Sequence, residues 1–305
     1  MSESRLGRIA IGGALCLSLG LGVSWALGSK MVEGRSSEVP AARLPARDFS
    51  LTSEDGLRLA ATYRPGARPG APAVLLLHGV KASRGSTAPL AEWLSELGYA
   101  ALTIDFRGHG ESAMAPRSFG LREAADARAA FGWLKWRQRG APVAVIGTSL
   151  GGAASLIGPS GPLPADALVL QAVYPDIRRA IRNRIATRVG TAPAYLLEPL
   201  LSFQSKPRFG VWPWQMAPLR ALRRYRGPVL VIGGAEDRYT PPDETRALFA
   251  AAPGPRSLWL VPHGDHAELG ALSDPASRER LRRFLAHTIG PPPAGPAPAA
   301  AAPAP

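Results

Sequence analysis

The sequence is poor in cysteine, lysine and acidic side chains, and each shortage narrows the range of functions. Cys16 is the only cysteine among 305 residues, which excludes an intrachain disulfide and a cysteine-rich metal site. Arginine supplies most of the 36 basic residues, against 23 acidic ones. The net charge of +13 suits lipid, nucleic acid or acidic substrates, and it also fits codon bias. Because no nucleic-acid-binding motif is present, we expect no nucleic-acid partner.

An uncharged run near the amino terminus predicts a membrane-targeting segment. It covers residues 9–27, with Arg5 and Arg8 before it and Lys30 after it. Its length is just enough to cross about 30 Å of hydrocarbon, so a signal peptide and a retained transmembrane anchor both stay open. Residues 1–28 are therefore assigned to this segment. We expect a membrane-associated protein, or a periplasmic or secreted one if the segment is cleaved.

Composition divides the remainder into a linker, one folded domain and a tail. Residues 29–47 contain Pro40 and Pro45 and are predicted to form a linker. Residues 291–305 hold only proline, alanine and glycine, which predicts a disordered tail. The folded domain then spans residues 48–290, and 46% hydrophobic residues are enough to give it a core.

Within this domain, short apolar runs alternate with amphipathic stretches. Apolar runs of this length are typical of strands buried on both faces, and the alternation predicts an α/β fold with a mainly parallel sheet between helices. The predicted strands cover residues 57–63, 73–77, 100–104, 143–146, 167–172, 229–232 and 258–261, and the predicted helices cover residues 88–97, 121–137, 242–251 and 276–287.

A serine between two glycines follows the fourth of these strands. Gly147, Ser149 and Gly151 stand in the order Gly-Thr-Ser-Leu-Gly, directly before a short alanine-rich stretch. Such a pentapeptide also occurs in ordinary tight turns. A strand before it and a helix after it favour a strained turn that presents the hydroxyl of Ser149 as a nucleophile.

At these residues the chain resembles the α/β-hydrolase superfamily, and three further motifs extend the resemblance over nearly all of the domain. The first is a strand that runs into the turn of His78 and Gly79. The resemblance implies that the backbone N–H groups of Val80 and Leu150 form an oxyanion hole, with His78 structural. The second is the stretch from Asp105 to Ser112, which implies an architectural loop containing His109.

The third motif comprises the segments that follow the last two strands. The resemblance maps the acid of a catalytic triad to Asp237 and the base to His266, in the chain order Ser, Asp, His. Glu236 and Asp176 are alternative acids, and His263 is an alternative base.

The resemblance implies a serine hydrolase of the esterase/lipase or serine aminopeptidase-like branch. His266 would take the proton of Ser149, Asp237 would orient His266, and water would release the acyl group. This chemistry requires no cofactor and no metal. We expect small-molecule or lipid-like carboxylic esters as substrates. Cleavage of amides and a catalytically silent interaction module are the alternatives.

A short helical cap is expected at residues 176–227. Between residues 177 and 226, eleven basic residues are opposed by Glu198 alone, so most of the net charge lies here and uniform codon bias explains it poorly. The cap is predicted to begin with a basic amphipathic helix. Its basic face is either simply solvated or meets an anionic membrane surface. Four aromatic residues are expected to contact the substrate: Phe203, Phe209, Trp212 and Trp214.

Overall fold

The computed structural model describes residues 3–266, 272 and 274–291. Its strands form one sheet of eight, in the order β1-β2-β4-β3-β5-β6-β7-β8. Their bounds are β1 (Arg47–Thr52), β2 (Arg58–Arg64), β3 (Ala73–Leu77), β4 (Ala100–Ile104), β5 (Val143–Thr148), β6 (Ala167–Gln171), β7 (Val229–Gly234) and β8 (Arg256–Val261).

Ten α-helices surround or extend the sheet in the described part of the chain. They are α1 (Glu3–Val32), α2 (Arg84–Glu96), α3 (Glu123–Arg137), α4 (Leu150–Leu156), α5 (Ile177–Val189), α6 (Thr191–Ser202), α7 (Ser205–Phe209), α8 (Pro218–Leu222), α9 (Pro242–Ala251) and α10 (Pro275–Thr288). A 3-10 helix, Pro213–Gln215, lies between α7 and α8.

The sheet confirms the predicted α/β fold. Strands β3 to β8 are parallel to one another, and β2 runs antiparallel to both of its neighbours, β1 and β4. Successive residues of β3 point to opposite faces, so Leu75 joins a buried cluster with Leu134 of α3 and Leu76 joins one with Leu94 of α2. Because these strands are parallel, their carboxyl ends meet at one edge, where the loops carry the site.

Strand β1, helices α6 to α8 and the 3-10 helix were not predicted as separate elements, and β1 and α6 show why. Only Leu51 is buried in β1, since this edge strand covers the core on one face alone. In α6 the residues that pack inward are Ala194, Glu198 and Ser202, so no inward apolar stripe marks it as a helix.

The segment after α1 lies against the domain. Helix α1 continues to Val32, beyond the start of the predicted linker. The N–H groups of Arg35 and Ser37 then donate to the carbonyls of Gly108 and Gly110, at 2.9 and 3.0 Å. Residues 29–47 are thus held on the domain surface. The predicted domain boundaries otherwise remain predictions, and the tail beyond residue 291 lies outside the described residues.

Residues Ile11–Val32 of α1 are long and apolar enough to cross a membrane. The side chains of Ile11, Leu15 and Leu19 are all more than half exposed. Such exposure is costly in water and is typical of a helix that contacts lipid.

Candidate active site

Ser149 stands in the sharp turn between β5 and α4. Its backbone has φ 48° and ψ −104°, a strained conformation for a residue with a side chain. Its N–H donates to the carbonyl of Gln171 at 2.8 Å, which ties the turn to the end of β6. The turn places Ser149 at the carboxyl edge of the sheet and at the amino terminus of a helix, as the sequence pattern predicts.

The two glycines around Ser149 are required by close backbone approach. A methyl group added at Gly147 would lie less than 3.0 Å from the backbone of Gly152, and one at Gly151 would lie as close to the carbonyl of Leu77 at the end of β3. Any side chain at either position would push the turn away from the sheet. The glycines therefore allow the turn that exposes the serine.

The loops after β7 and β8 bring Asp237 and His266 together. Nδ1 of His266 lies 2.8 Å from Oδ2 of Asp237, and the carboxylate is fully buried while the imidazole is about one-fifth exposed. Burial raises the pKa of Asp237, but its hydrogen bonds with His266 and Thr240 and the charge of His266 outweigh burial and hold that pKa below its ordinary value. Asp237 is thus a carboxylate that accepts a hydrogen bond from Nδ1–H of His266.

Sequence reasoning missed the residues that hold this pair. Oδ1 of Asp237 accepts from the N–H groups of Tyr239 and Thr240, at 2.8 and 2.9 Å, and Oδ2 accepts from the hydroxyl of Thr240 at 2.5 Å. The Tyr239 ring lies edge-on to His266, with centroids 5.4 Å apart. An aspartate followed closely by a threonine and a proline is a turn signal that points to this arrangement.

A guanidinium group of the cap lies close to this pair. Arg184 of α5 lies over the ring of Tyr239, 5.2 Å from its centroid. Burial lowers the pKa of Arg184, while the charges of Tyr174 and Asp237 act in the opposite direction. The sequence predicts that Arg184 lies on the basic face of the first cap helix. The structure instead turns it toward the site, where it adds positive charge.

The alternative acids and the alternative base have other partners. Asp176 caps α5, because its carboxylate accepts from the N–H of Arg179 at 2.9 Å. Glu236 lies 2.8 Å from Nδ1 of His263, and both of these side chains are exposed. Of the candidates weighed from the sequence, Asp237 and His266 are the acid and the base that the structure pairs in a buried setting.

The turn after β3 lies beside Ser149. A methyl group added at Gly79 would lie 3.8 Å from Cβ of Ser149. The preceding residue, His78, is buried, and its Nε2 accepts from the N–H of Phe106 at 3.1 Å. Burial, assisted by the charge of His109, lowers the pKa of His78 to about 3. His78 is a neutral structural residue. The oxyanion roles of Val80 and Leu150 remain predictions.

The stretch from Asp105 to Ser112 forms a hydrogen-bonded loop. Asp105 accepts from the guanidinium and the N–H of Arg84, and Ser112 donates to its carbonyl at 2.6 Å. His109 is buried, with Nδ1 2.9 Å from the carbonyl of Arg107. These contacts match the architectural role expected of the loop.

The four predicted substrate-contacting aromatics fall into two places. Phe203, Trp212 and Trp214 form an aromatic cluster on the cap surface, in which the two indoles stack with centroids 5.0 Å apart and Phe203 lies edge-on to both. Phe209 lies elsewhere and lines an apolar crevice between α1 and the cap. Their contact with substrate remains a prediction.

In the described part of the chain, no three His, Cys, Asp or Glu side chains are grouped to hold a metal ion. The carboxyl edge of the sheet carries a strained serine and a histidine–carboxylate pair.

The chain is similar to several known proteins. The sequence profile of the family described as serine aminopeptidase, S33, matches residues 69–202. The uncharacterised protein YfhR of Escherichia coli (strain K12) is 27% identical over 255 residues, which cover 81% of this chain and 82% of YfhR.

Lysophosphatidylserine lipase ABHD12 of Rattus norvegicus is 28% identical over 234 residues, which cover 70% of this chain and 56% of the lipase. Among solved structures, esterase Pf2001 of Pyrococcus furiosus superposes with a TM-score of 0.66 at 19% identity, covering 85% of this chain and 99% of the esterase. This likeness shows a shared fold.

Proposed function

We propose that the chain is a serine hydrolase of the α/β-hydrolase superfamily, and that it cleaves carboxylic esters with Ser149, His266 and Asp237 as its triad. The observation that carries the proposal is the buried hydrogen bond of Asp237 to His266 at the sheet edge that also presents Ser149. An unassisted serine hydroxyl is a weak nucleophile, and this pair supplies the base and its orientation.

The proposed reaction has two halves. Nε2 of His266 takes the hydroxyl proton while Oγ of Ser149 attacks the ester carbonyl carbon, and the N–H groups of Val80 and Leu150 bind the oxyanion. Collapse of this intermediate breaks the carbonyl–alkoxy bond, and the imidazolium returns the proton to the departing alcohol. Water, activated by His266, then attacks the acyl-enzyme and releases the carboxylic acid and free Ser149.

The charge of the cap favours esters with neutral or anionic head groups. Between residues 177 and 226 the single acidic residue, Glu198, is buried and bonded to Arg178 at 2.9 Å. The guanidinium of Arg184 lies near the acid–base pair. An ammonium group would be repelled here, whereas a phosphate or carboxylate would be attracted. Lipid-like esters with such head groups suit this positive charge, and one relative of the chain is a lysophosphatidylserine lipase.

A second candidate activity is amide cleavage. The matching family profile is described as a serine aminopeptidase, which favours this activity. The positive cap disfavours it, because an aminopeptidase must bind the free ammonium of its substrate. Initial rates on p-nitrophenyl esters and on aminoacyl anilides separate the two. Faster turnover of the anilides would overturn the ester proposal.

Labelling by a fluorophosphonate probe tests the nucleophile. We expect the full-length protein to react, Ser149→Ala to lose all labelling, and Ser160→Ala, at an exposed loop position, to label like the wild type. Folded wild-type protein that takes no probe would support a catalytically silent interaction module instead. Circular dichroism of each variant establishes that it is folded.

We also propose that the protein works at a membrane, with α1 retained as its anchor. The support is the length and apolar character of Ile11–Val32 and the concentration of positive charge in the cap. Rates on the same ester lipid in phosphatidylglycerol and in phosphatidylcholine vesicles test the role of charge. Equal rates in both would count against contact between the cap and anionic lipid.

A further inference from the structure

Helix α6 has its polar side inward and its apolar side outward. Glu198 and Ser202 are buried against the domain, and Glu198 bonds to Arg178. The outward side, which we call the leaflet face, consists of Tyr195, Leu196, Leu197 and Leu200. These side chains are 43 to 79% exposed, with Leu196 the most exposed. A helix in water has the opposite distribution, so this face is built to contact something apolar.

The end of α1 packs directly beside α6. Ser24 is buried, its hydroxyl donates to the carbonyl of Leu200 at 2.8 Å, and the Gln204 amide donates to the carbonyl of Ser24 at 2.9 Å. One turn further on, Arg208 donates to the hydroxyl of Ser29 at 2.9 Å and lies over the ring of Trp25. A methyl group at Gly28 would collide with Gln204. The last part of α1 is thus fixed to the cap.

The contacts also give the direction of α6. Ser24 meets Leu200 and Gln204, Gly28 meets Gln204 one turn later, and the long side chain of Arg208 reaches Trp25 and Ser29. The two segments therefore run in the same direction here. The start of α6, with Leu196 and Leu197, therefore lies toward the part of α1 that precedes Ser24. That is the side where α1 would be in the bilayer.

The length of α1 determines how deep this contact lies. The uncharged run between Arg8 and Lys30 gives about 31 Å of helix, which barely matches about 30 Å of hydrocarbon. If α1 left the bilayer before Ser24, only about 22 Å would remain, too short to span. Ser24 must therefore lie about 9 Å below the level of Lys30, within the lipid. The cap surface bonded to Ser24 lies at the same depth.

Aromatic and basic residues lie where the cap would meet the head groups. The aromatic cluster of Phe203, Trp212 and Trp214 follows α6, and each member is 38 to 45% exposed. The ammonium of Lys206 lies 5.6 Å from the ring of Trp212 and the guanidinium of Arg178 lies 5.9 Å from the ring of Phe203. Tryptophan beside basic side chains is typical of the membrane–water interface.

From these relationships we propose that the leaflet face of α6 is inserted into the acyl region of the bilayer leaflet nearer the folded domain. The enzyme then takes its ester lipid laterally from within this leaflet. The inference rests on the proposed membrane anchor and does not depend on the triad. An apolar crevice lined by Met31 of α1, Ile181 of α5 and Leu201 of α6 lies between the anchor and the cap.

Depth measurement on the full-length protein tests the insertion. Cys16→Ser removes the one native thiol, and Leu196→Cys or Trp136→Cys then carries an environment-sensitive fluorophore. Trp136 is the matched control, because it is 73% exposed and lies in the last turn of α3, before β5 starts at the opposite edge of the sheet. Both proteins are reconstituted in vesicles of equal parts phosphatidylcholine and phosphatidylglycerol.

We expect brominated acyl chains to quench most of the fluorescence at position 196 and iodide in the water to quench little, with the reverse at position 136. Equal iodide quenching at both positions would overturn the proposal, since the leaflet face would then lie in water. Protection of position 196 from both quenchers, with a doubled particle mass, would also overturn it and would indicate a second copy on this face.

Activity provides a second and separable measurement. Leu196→Glu is expected to lower hydrolysis of an ester lipid in these vesicles by about tenfold or more, because a charge resists insertion, while Trp136→Glu has little effect. Hydrolysis of water-soluble p-nitrophenyl acetate should be unchanged in both variants. Equal loss on both substrates would contradict entry from the bilayer. A wild type that hydrolyses neither ester would refute the proposed function and leave the depth measurement valid.

Discussion

Oδ2 of Asp237 is shared between His266 and Thr240, with Nδ1 of the imidazole 2.8 Å away and the threonine hydroxyl 2.5 Å away. This shared oxygen fixes which nitrogen of His266 carries the proton. Nδ1–H points at the carboxylate, so Nε2 is the nitrogen left to act as a base.

Replacement of the carboxylate should therefore remove most of the activity. In Asp237→Asn we expect kcat on a water-soluble ester to fall by about 10⁴-fold with little change in KM, because the amide favours the wrong tautomer of His266. Steady-state kinetics measure this. Glu236→Gln is the matched control, since the side chain of Glu236 is exposed and bonds to the exposed His263, and its loss should leave kcat within about twofold. Equal losses in the two variants would refute the assignment of Asp237.

Thr240 should act as a positioning residue. Its hydroxyl is one of the groups that hold the pKa of Asp237 low against the effect of burial. In Thr240→Val we expect kcat to fall about tenfold with KM unchanged, which corresponds to the loss of a hydrogen bond to a charged group. The acidic limb of the pH–rate profile should move to higher pH, because the carboxylate becomes easier to protonate.

Thr240→Ser keeps the hydroxyl and should restore both kcat and the pH profile. A valine variant with a reduced rate but an unshifted acidic limb would mean that Thr240 only packs against the loop.

The turn around Ser149 should tolerate no side chain. Gly151→Ala places a methyl group less than 3.0 Å from the carbonyl of Leu77, and we expect a loss of about 3 kcal/mol or more in the free energy of unfolding. Urea unfolding in mild detergent measures it. Gly132→Ala is the control, because Gly132 lies in α3 with open space around it. That variant should gain about 0.5–1 kcal/mol. A stable and active Gly151→Ala would contradict the tight turn.

The sequence predicts the candidate catalytic residues better than it predicts the residues that hold them in place. Ser149, Asp237 and His266 each follow an apolar run that forms a strand, and parallel strands bring their ends to one edge, so the short local patterns carry the information. Thr240 and Arg184 were missed for different reasons. Thr240 acts through a turn geometry that many Asp-Thr pairs do not adopt, and Arg184 looks like its arginine neighbours on α5 until the packing turns it inward.

The cap shows where reasoning from periodicity fails. The alternation of apolar and polar residues reveals helices that bury an apolar stripe, and α6 does the reverse, with Glu198 inside and Leu196 outside. Its position became clear only from the hydrogen bonds to Ser24 of α1, a contact between residues 176 positions apart. No local pattern encodes such a contact.

His78 should make folding stability depend on pH. In the folded state burial, with the charge of His109, lowers the pKa of His78 to about 3, whereas an unfolded histidine has a pKa of about 6.5. Below about pH 6.5, the imidazole of His78 is protonated in the unfolded chain and stays neutral in the folded protein. Stability is therefore fully present above that pH and is lost as the pH falls toward 3, by about 1.4 kcal/mol per pH unit from this residue.

His78→Gln isolates this contribution. The glutamine carbonyl can still accept from the N–H of Phe106, as Nε2 of His78 does, so we expect a loss of about 1 kcal/mol at pH 8. Urea unfolding between pH 8 and pH 4 should then give a shallower decline for the variant, so that the two curves cross at about pH 6 and the variant is the more stable protein at pH 4. Curves that stay parallel over this range would show that His78 is protonated in the folded protein. A buried neutral imidazole, fixed by Gly79 on one side and Phe106 on the other, requires the curves to cross.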